Sequence, residues 1–235
     1  MGDIIIILVF IIVTIMGITD YFGHKISGLA GKNRDNFLSL SSGLLISLLF
    51  LILLPSLSLN DGSGIIYFFL LMGFLCMHFI EKIIYKRVKN KQKLLEDLKM
   101  VHIVGFGLDN FLVGFIIATV AKTDIGIAEL AFLALPFFFL MLTSSISLDS
   151  IDVRLKNSFS KILLSFLPFM GAIIGILMEL DAFLTQTVLA FTMGIILYMV
   201  VRDVIPQGKR GSPLLFFIGT IISIILWLIL IFNYV

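Results

Sequence analysis

Eight times along this chain an apolar stretch of about fifteen to twenty residues recurs, close to what an α-helix needs to cross a ~30 Å hydrocarbon core. The stretches cover about 4–18, 38–57, 65–84, 101–120, 125–142, 162–178, 187–204 and 213–232, and they tile the sequence. Between them lie Gly, Asn, Asp, Ser and Lys, residues that stop helices and favour turns. With 60% hydrophobic and 14% charged residues and a mean hydropathy of +1.15, too little polar surface is left to face water. The expectation is an all-α polytopic membrane protein of eight transmembrane helices, with residues 1–235 forming a single transmembrane domain.

Basic residues near span ends are held on the cytoplasmic side, so their placement orients the bundle. Lys25, Lys32 and Arg34 follow the first span. Lys82, Lys86, Arg87, Lys89, Lys91, Lys93 and Lys99 follow the third, Arg154, Lys156 and Lys161 the fifth, and Arg202, Lys209 and Arg210 the seventh. Only Lys122 falls on the other side, near Asp61, Asp124, Glu179 and Asp181. Both termini are therefore expected outside the cytoplasm. The first span has no basic region before it and no small-residue cleavage pattern after it, so it reads as a retained span rather than a signal peptide.

Composition also narrows the function classes. A net charge of +2 with topologically placed basic residues offers no nucleic-acid face, and the single Cys76 offers neither a disulfide framework nor a cysteine metal site. The spans hold no clustered carboxylates, no His-Glu-x-x-His and no nucleophile with a base, so an enzyme is not expected. Ser144, Ser145 and Ser147 read as helix-packing residues.

Polar and helix-breaking residues inside spans carry more information, because lipid makes them costly. Pro55 and Ser56 end the second span, and Pro55 removes the helical donor for the Leu51 carbonyl. The fourth span places Asp109 and Asn110 between Gly105, Gly107 and Gly114 near mid-membrane. The fifth carries Glu129 and then Pro136, which removes the donor for the Phe132 carbonyl. Two readings fit: an ion path lined by carboxylate and carbonyl oxygens, or a hydrogen-bonded clasp between helices with kinks at the prolines.

These residues resemble the ZIP (Zrt/Irt-like) divalent-metal transporters over most of the chain. Ser42-Gly43-Leu44-Leu45 leading to Leu53-Leu54-Pro55 is similar to the family's second span, and Gly73-Phe74 with Glu81-Lys82 to its third. Gly105, Asp109, Asn110, Phe111 and Gly114 are similar to its fourth, which carries a His-Asn-x-x-Asp-Gly motif. Ala190-Phe191-Thr192-x-Gly194 through Tyr198, Asp203 and Pro206 is similar to its seventh. The resemblance implies a ZIP-like bundle, both ends outside, that moves a divalent cation towards the cytoplasm. It also shows departures. Asp109 stands where the family has a ligand His, and Val113 where it has an acid. Leu133, Ala134, Leu135, Phe137 and Phe138 replace the fifth-span ligands around Pro136, and Ile52 and Ser56 those around Pro55.

Zinc favours about four ligands from His, Cys and carboxylate, so one carboxylate and one amide suit a harder, oxygen-preferring ion better. His102 precedes Asp109 by two helical turns, about 10.5 Å along the axis, which makes them successive stations rather than one site. The expected path therefore comprises Asp109, Asn110, His102 and Ser56, with Pro55 and Pro136 at its helix breaks. His78 with Glu81, three apart on one face, reads either as a cytoplasmic exit or, the preferred reading, as a hydrogen-bonded pair anchoring the third span near Lys82. No resident cofactor is expected beyond a transported divalent cation. Expected partners are the bilayer, anionic lipid at Lys86, Arg87, Lys89, Lys91 and Lys93, and a second copy in a homodimer. Small residues Gly171, Ala172 and Gly175 mark close helix contacts within or between protomers. The plasma membrane is the expected location. The alternative is a ZIP-like fold that has lost metal transport and serves a structural, regulatory or other-solute role, which the apolar fifth span favours.

Overall fold

The computed structural model describes residues 2–30, 33–57, 64–87, 91–122, 126–151, 158–206, 208 and 210–234. At 2, 3, 24–30, 56, 91, 94, 95, 98, 99, 101, 102, 129, 147–151, 158–160, 203, 230, 231, 233 and 234 it describes the backbone alone. Among the described residues there are helices and no strands. They are α1 (Gly2–Ala30), α2 (Arg34–Leu48, continued by a π turn Leu49–Leu53 and by Leu54–Ser56), α3 (Ile65–Arg87), α4 (Lys91–Val120), α5 (Ile127–Ile151), α6 (Ser158–Leu177), α7 (Ala182–Met199, continued by a π turn Val200–Val204) and α8 (Pro213–Tyr234). α4 starts ten residues before the expected span, because Lys, Gln, Leu and Glu are good helix formers that extend a helix beyond its apolar part.

Five helices are long and apolar enough to cross a membrane: Ile4–Gly23, Arg34–Leu53, Ile65–Arg87, Ile103–Val120 and Ala182–Arg202. The other three hold shorter described apolar helical stretches, Leu130–Ile146, Lys161–Leu177 and Pro213–Ile229. The exterior is apolar. Ile4, Ile7, Ile11, Ile15 and Ile18 are exposed along α1, as are Leu214, Phe217, Ile221 and Phe232 along α8, whereas Asp20, Ser42, Glu81, Asp109 and Asn110 are buried. Apolar outside and polar inside fits an integral membrane protein.

The helices pack as close pairs seated on glycines. α2 and α8 run parallel: the Ser212 N–H donates to Ser39 Oγ (2.9 Å), and further along Ser223 Oγ donates to the Leu44 carbonyl (2.8 Å). α4 and α6 are also parallel. Asn110 Nδ2 donates to the Leu164 carbonyl (3.3 Å), and near the far ends Lys122 Nζ donates to the Met178 carbonyl (2.6 Å). α3 and α7 form a third parallel pair, with Gly73 against Phe191 near one end and Glu81 bonded to Arg202 near the other. In these pairs a Cβ on either partner's glycine would run into facing backbone, as expected where lipid leaves van der Waals contact and hydrogen bonding to hold helices together.

These contacts repeat. Gly43 of α2 meets the Phe216 carbonyl of α8, and Gly219 of α8 meets Leu40 and Leu44. With one offset between α2 and α7 and another between α8 and α3, Gly194 of α7 meets the Leu70 carbonyl of α3, and Gly73 of α3 meets Phe191 and Ile195. Likewise Gly23 of α1 rests on Ser145 and the Leu142 carbonyl of α5, and Gly171 of α6 on Phe111 of α4. Thus α1–α3 repeat as α6–α8, with α4 and α5 equivalent between them. The equivalent α1 and α6 are antiparallel, since Gly17 meets Ser165 while Phe10 stacks near Phe169 (5.3 Å). The repeat is therefore inverted.

The π turns obey the same rule. The Leu54 N–H bonds to Leu49 O and the Ile205 N–H to Val200 O, each reaching five residues back. Each π turn lies just before a proline, Pro55 or Pro206, whose ring supplies no N–H to continue the α pattern. α5, by contrast, runs through Pro136 without interruption, and α6 through Pro168. The helix break expected at Pro136 is therefore absent, and Phe132 is not left without interactions.

Candidate functional site

α4 carries three stripes. Gly107, Asn110, Phe111 and Gly114 face α6. Val104 and Leu108 are exposed. Gly105 faces Met77 of α3 and Met199 of α7, and Asp109, one turn on, continues that side towards the bundle interior. Asp109 is 0% exposed, and neither of its carboxylate oxygens has a hydrogen-bond partner. Asn110 is equally enclosed: its Nδ2 is fixed by the Leu164 carbonyl, but its Oδ1 has no partner. Buried polar atoms are nearly always bonded, and leaving one unbonded costs on the order of 1–3 kcal/mol, more for a charge. The two carboxylate oxygens of Asp109 and the amide oxygen of Asn110 thus stand out from a described interior whose other polar side chains are mostly bonded.

The repeat sharpens the point. The α5 positions equivalent to Asp109 and Asn110 are Leu140 and Met141, both buried in the apolar core. The polar pair is thus confined to one of the two central helices.

The remaining expected residues are scattered. Pro55 is exposed at the end of α2 and Pro136 is buried inside α5. The side chains of Ser56 and His102 lie outside the described residues, as does Lys89 altogether. Among the described residues no three His, Cys, Asp or Glu side chains gather where they could hold one metal ion. Lys86, Arg87 and Lys93 are exposed. Gly171 and Gly175 make their close contacts within the chain, against Phe111 and Phe115 of α4.

His78 and Glu81 each meet Tyr198 of α7, company that spacing along α3 alone did not suggest. Glu81 is buried and paired with Arg202 of α7 through Arg Nη2 (2.8 Å) and Nε (3.1 Å), and the Tyr198 hydroxyl donates to its other oxygen. His78 packs edge-on to the Tyr198 ring (6.0 Å). The π turn holds Arg202, so the local change of helical pitch sets the face from which its side chain leaves.

No known protein family's model matches the chain, and no curated protein matches it. What the site does must therefore be argued from its own chemistry.

Two features escaped sequence reasoning. The Arg202–Glu81 pair joins residues far apart in the chain, and Arg202 had read only as a topological charge. Thr192 is fully buried with an unpartnered hydroxyl, and nothing in a lone threonine within an apolar span signals that.

Proposed function

We propose that this chain is a ZIP-like transporter of eight spans with both ends outside the cytoplasm, which moves a divalent cation inward past Asp109 and Asn110. The observation that carries this reading is the fully buried Asp109 carboxylate, with both oxygens unpartnered beside an unpartnered Asn110 oxygen. A cation entering there meets hard oxygen donors in a low-dielectric space, where its attraction to a carboxylate is strongest. The architecture supports the reading as well. Inverted repeats with interrupted helices are the common frame of secondary transporters, with the solute held between the repeats near mid-membrane. Oxygen donors without His or Cys favour a hard ion such as manganese or magnesium over zinc. An inward divalent cation gains about 4.6 kcal/mol at 100 mV, twice the single-charge value, so the membrane potential alone suffices to drive it.

In this reading the Glu81–Arg202–Tyr198 bridge closes the cytoplasmic end of the α3/α7 pair. The plasma membrane is the natural setting, and the exposed Lys86, Arg87 and Lys93 meet anionic lipid there. A second reading, a fold kept for structural or regulatory work, is favoured by the apolar interior of α5 at Leu133, Ala134 and Phe137. Uptake into proteoliposomes with an inside-negative potential separates the two. Manganese or magnesium uptake that Asp109→Ala abolishes supports the transporter. No uptake of any divalent cation by folded protein rejects it.

A further inference from the structure

Threonine inside a helix ordinarily turns its hydroxyl back to the carbonyl four residues before it, which satisfies the group within its own helix. Thr19, Thr119, Thr143, Thr185 and Thr220 all do so here. Thr187 and Thr192 do not: both are buried and both hydroxyls lack a partner. Their helical positions separate them. Thr187 lies on the stripe of α7 that carries Phe191, Gly194 and Tyr198 against α3. Thr192 lies on the stripe of Met199, which faces Gly105 of α4.

The height of Thr192 along the seam follows from helix geometry. α3 ends at Arg87 where α4 soon begins at Lys91, and Met77 faces Gly105, so α3 and α4 are antiparallel. α7 is parallel to α3, hence antiparallel to α4. From the level where Gly105 meets Met199, Asp109 stands about 6 Å along α4 and Thr192 about 10.5 Å in the same direction along α7. Their heights differ by about 4.5 Å, and each is on the face turned to the other helix. With so small an axial offset, a cation seated between α4 and α7 can take a carboxylate oxygen from one and a hydroxyl oxygen from the other while keeping part of its water.

We infer that Thr192 is the α7 ligand of the Asp109 site, which holds a hard, partly hydrated divalent cation at the α4/α7 seam. The inference rests on the proposed transport function, and it places the second wall of the site on α7 rather than on the apolar α5. Thr192 supplies a neutral oxygen, Asp109 the charge, and the Asn110 oxygen stands one residue to the side. Because the hydroxyl is not committed to its own helix, it is free to accept the ion without breaking an existing bond.

The test is manganese binding to purified, folded protein in detergent, read from the loss of the free-ion electron paramagnetic resonance signal. Asp109→Asn should abolish binding. Thr192→Val, nearly isosteric, should weaken it roughly tenfold, the scale of one lost contact to a charged group. Thr192→Ser should bind as the unchanged protein does, and Thr119→Val should have no effect because that hydroxyl serves its own helix. Thr192→Val binding at full affinity, Thr192→Ser as weak as Thr192→Val, or no manganese bound by the unchanged protein would each overturn the inference. If binding follows the expected pattern but proteoliposomes take up no ion, the transport reading fails and the seam site stands.

Discussion

The α3/α7 and α2/α8 pairs are the same piece of architecture used twice, and they end differently. Gly73 and Gly194 seat one pair as Gly219 and Gly43 seat the other, each against the corresponding carbonyl, and each pair includes a helix with a π turn before a proline. Beyond the glycines, α3/α7 carries Glu81, Tyr198 and Arg202. The equivalent positions in α2/α8 are Trp227, Ser47 and Leu51, and Ser47 merely bonds its own helix at Gly43 (2.8 Å). Backbone packing is thus set by small residues common to both halves, while a buried charge cluster is placed in one half alone. The two pairs then differ in what holds them: separating α3 from α7 breaks the Arg202–Glu81 ion pair, whereas separating α2 from α8 breaks neutral hydrogen bonds from Ser212, Thr220 and Ser223.

The largest effect expected comes from the shared part. Gly43→Val and Gly194→Val should each cost more than about 3 kcal/mol, because the added carbons meet facing backbone that cannot give. Thermal unfolding and monodisperse yield in detergent should show equal losses. A severe loss at one and tolerance at the other would break the equivalence of the pairs. Next, Arg202→Leu should destabilise by about 2 kcal/mol, below the 3–5 usual for a fully buried pair, because Arg202 is 41% exposed. Pairing it with Glu81→Leu should recover most of the loss, since that change makes α3/α7 resemble α2/α8. Failure to recover would mean that the cluster does more than neutralise itself. Tyr198→Phe should cost about 1 kcal/mol by removing one donor from Glu81. Ser47→Ala, at the equivalent place in the other half, should change stability least, by about 0.5 kcal/mol or less. Equal effects from these last two would erase the distinction.

The length of the apolar runs revealed the helices, because a chain crossing lipid must satisfy its own backbone and does so as a helix. It also singled out Asp109 and Asn110, since a charge inside an apolar span is conspicuous whatever surrounds it. Partnership was hidden. The pairing of Gly43 with Phe216, the Glu81–Arg202 bridge and the idle hydroxyl of Thr192 all depend on which helices meet, and spacing along one helix does not carry that. Pro55 and Pro136 show the same limit. Both remove a donor, yet one lies beside a π turn and the other sits in a continuous helix, a difference set by the packing around them. The inverted repeat was hidden too, because corresponding positions share size and place rather than identity.

The parallel pairing of α2 with α8 has a consequence for biogenesis. Synthesis proceeds from the N-terminus, so α2 is made well before its mate α8. Until then the groove around Gly43 faces lipid, or another helix that fits it. The close fit of Gly43 against the Phe216 carbonyl is therefore completed only once α8 has been made.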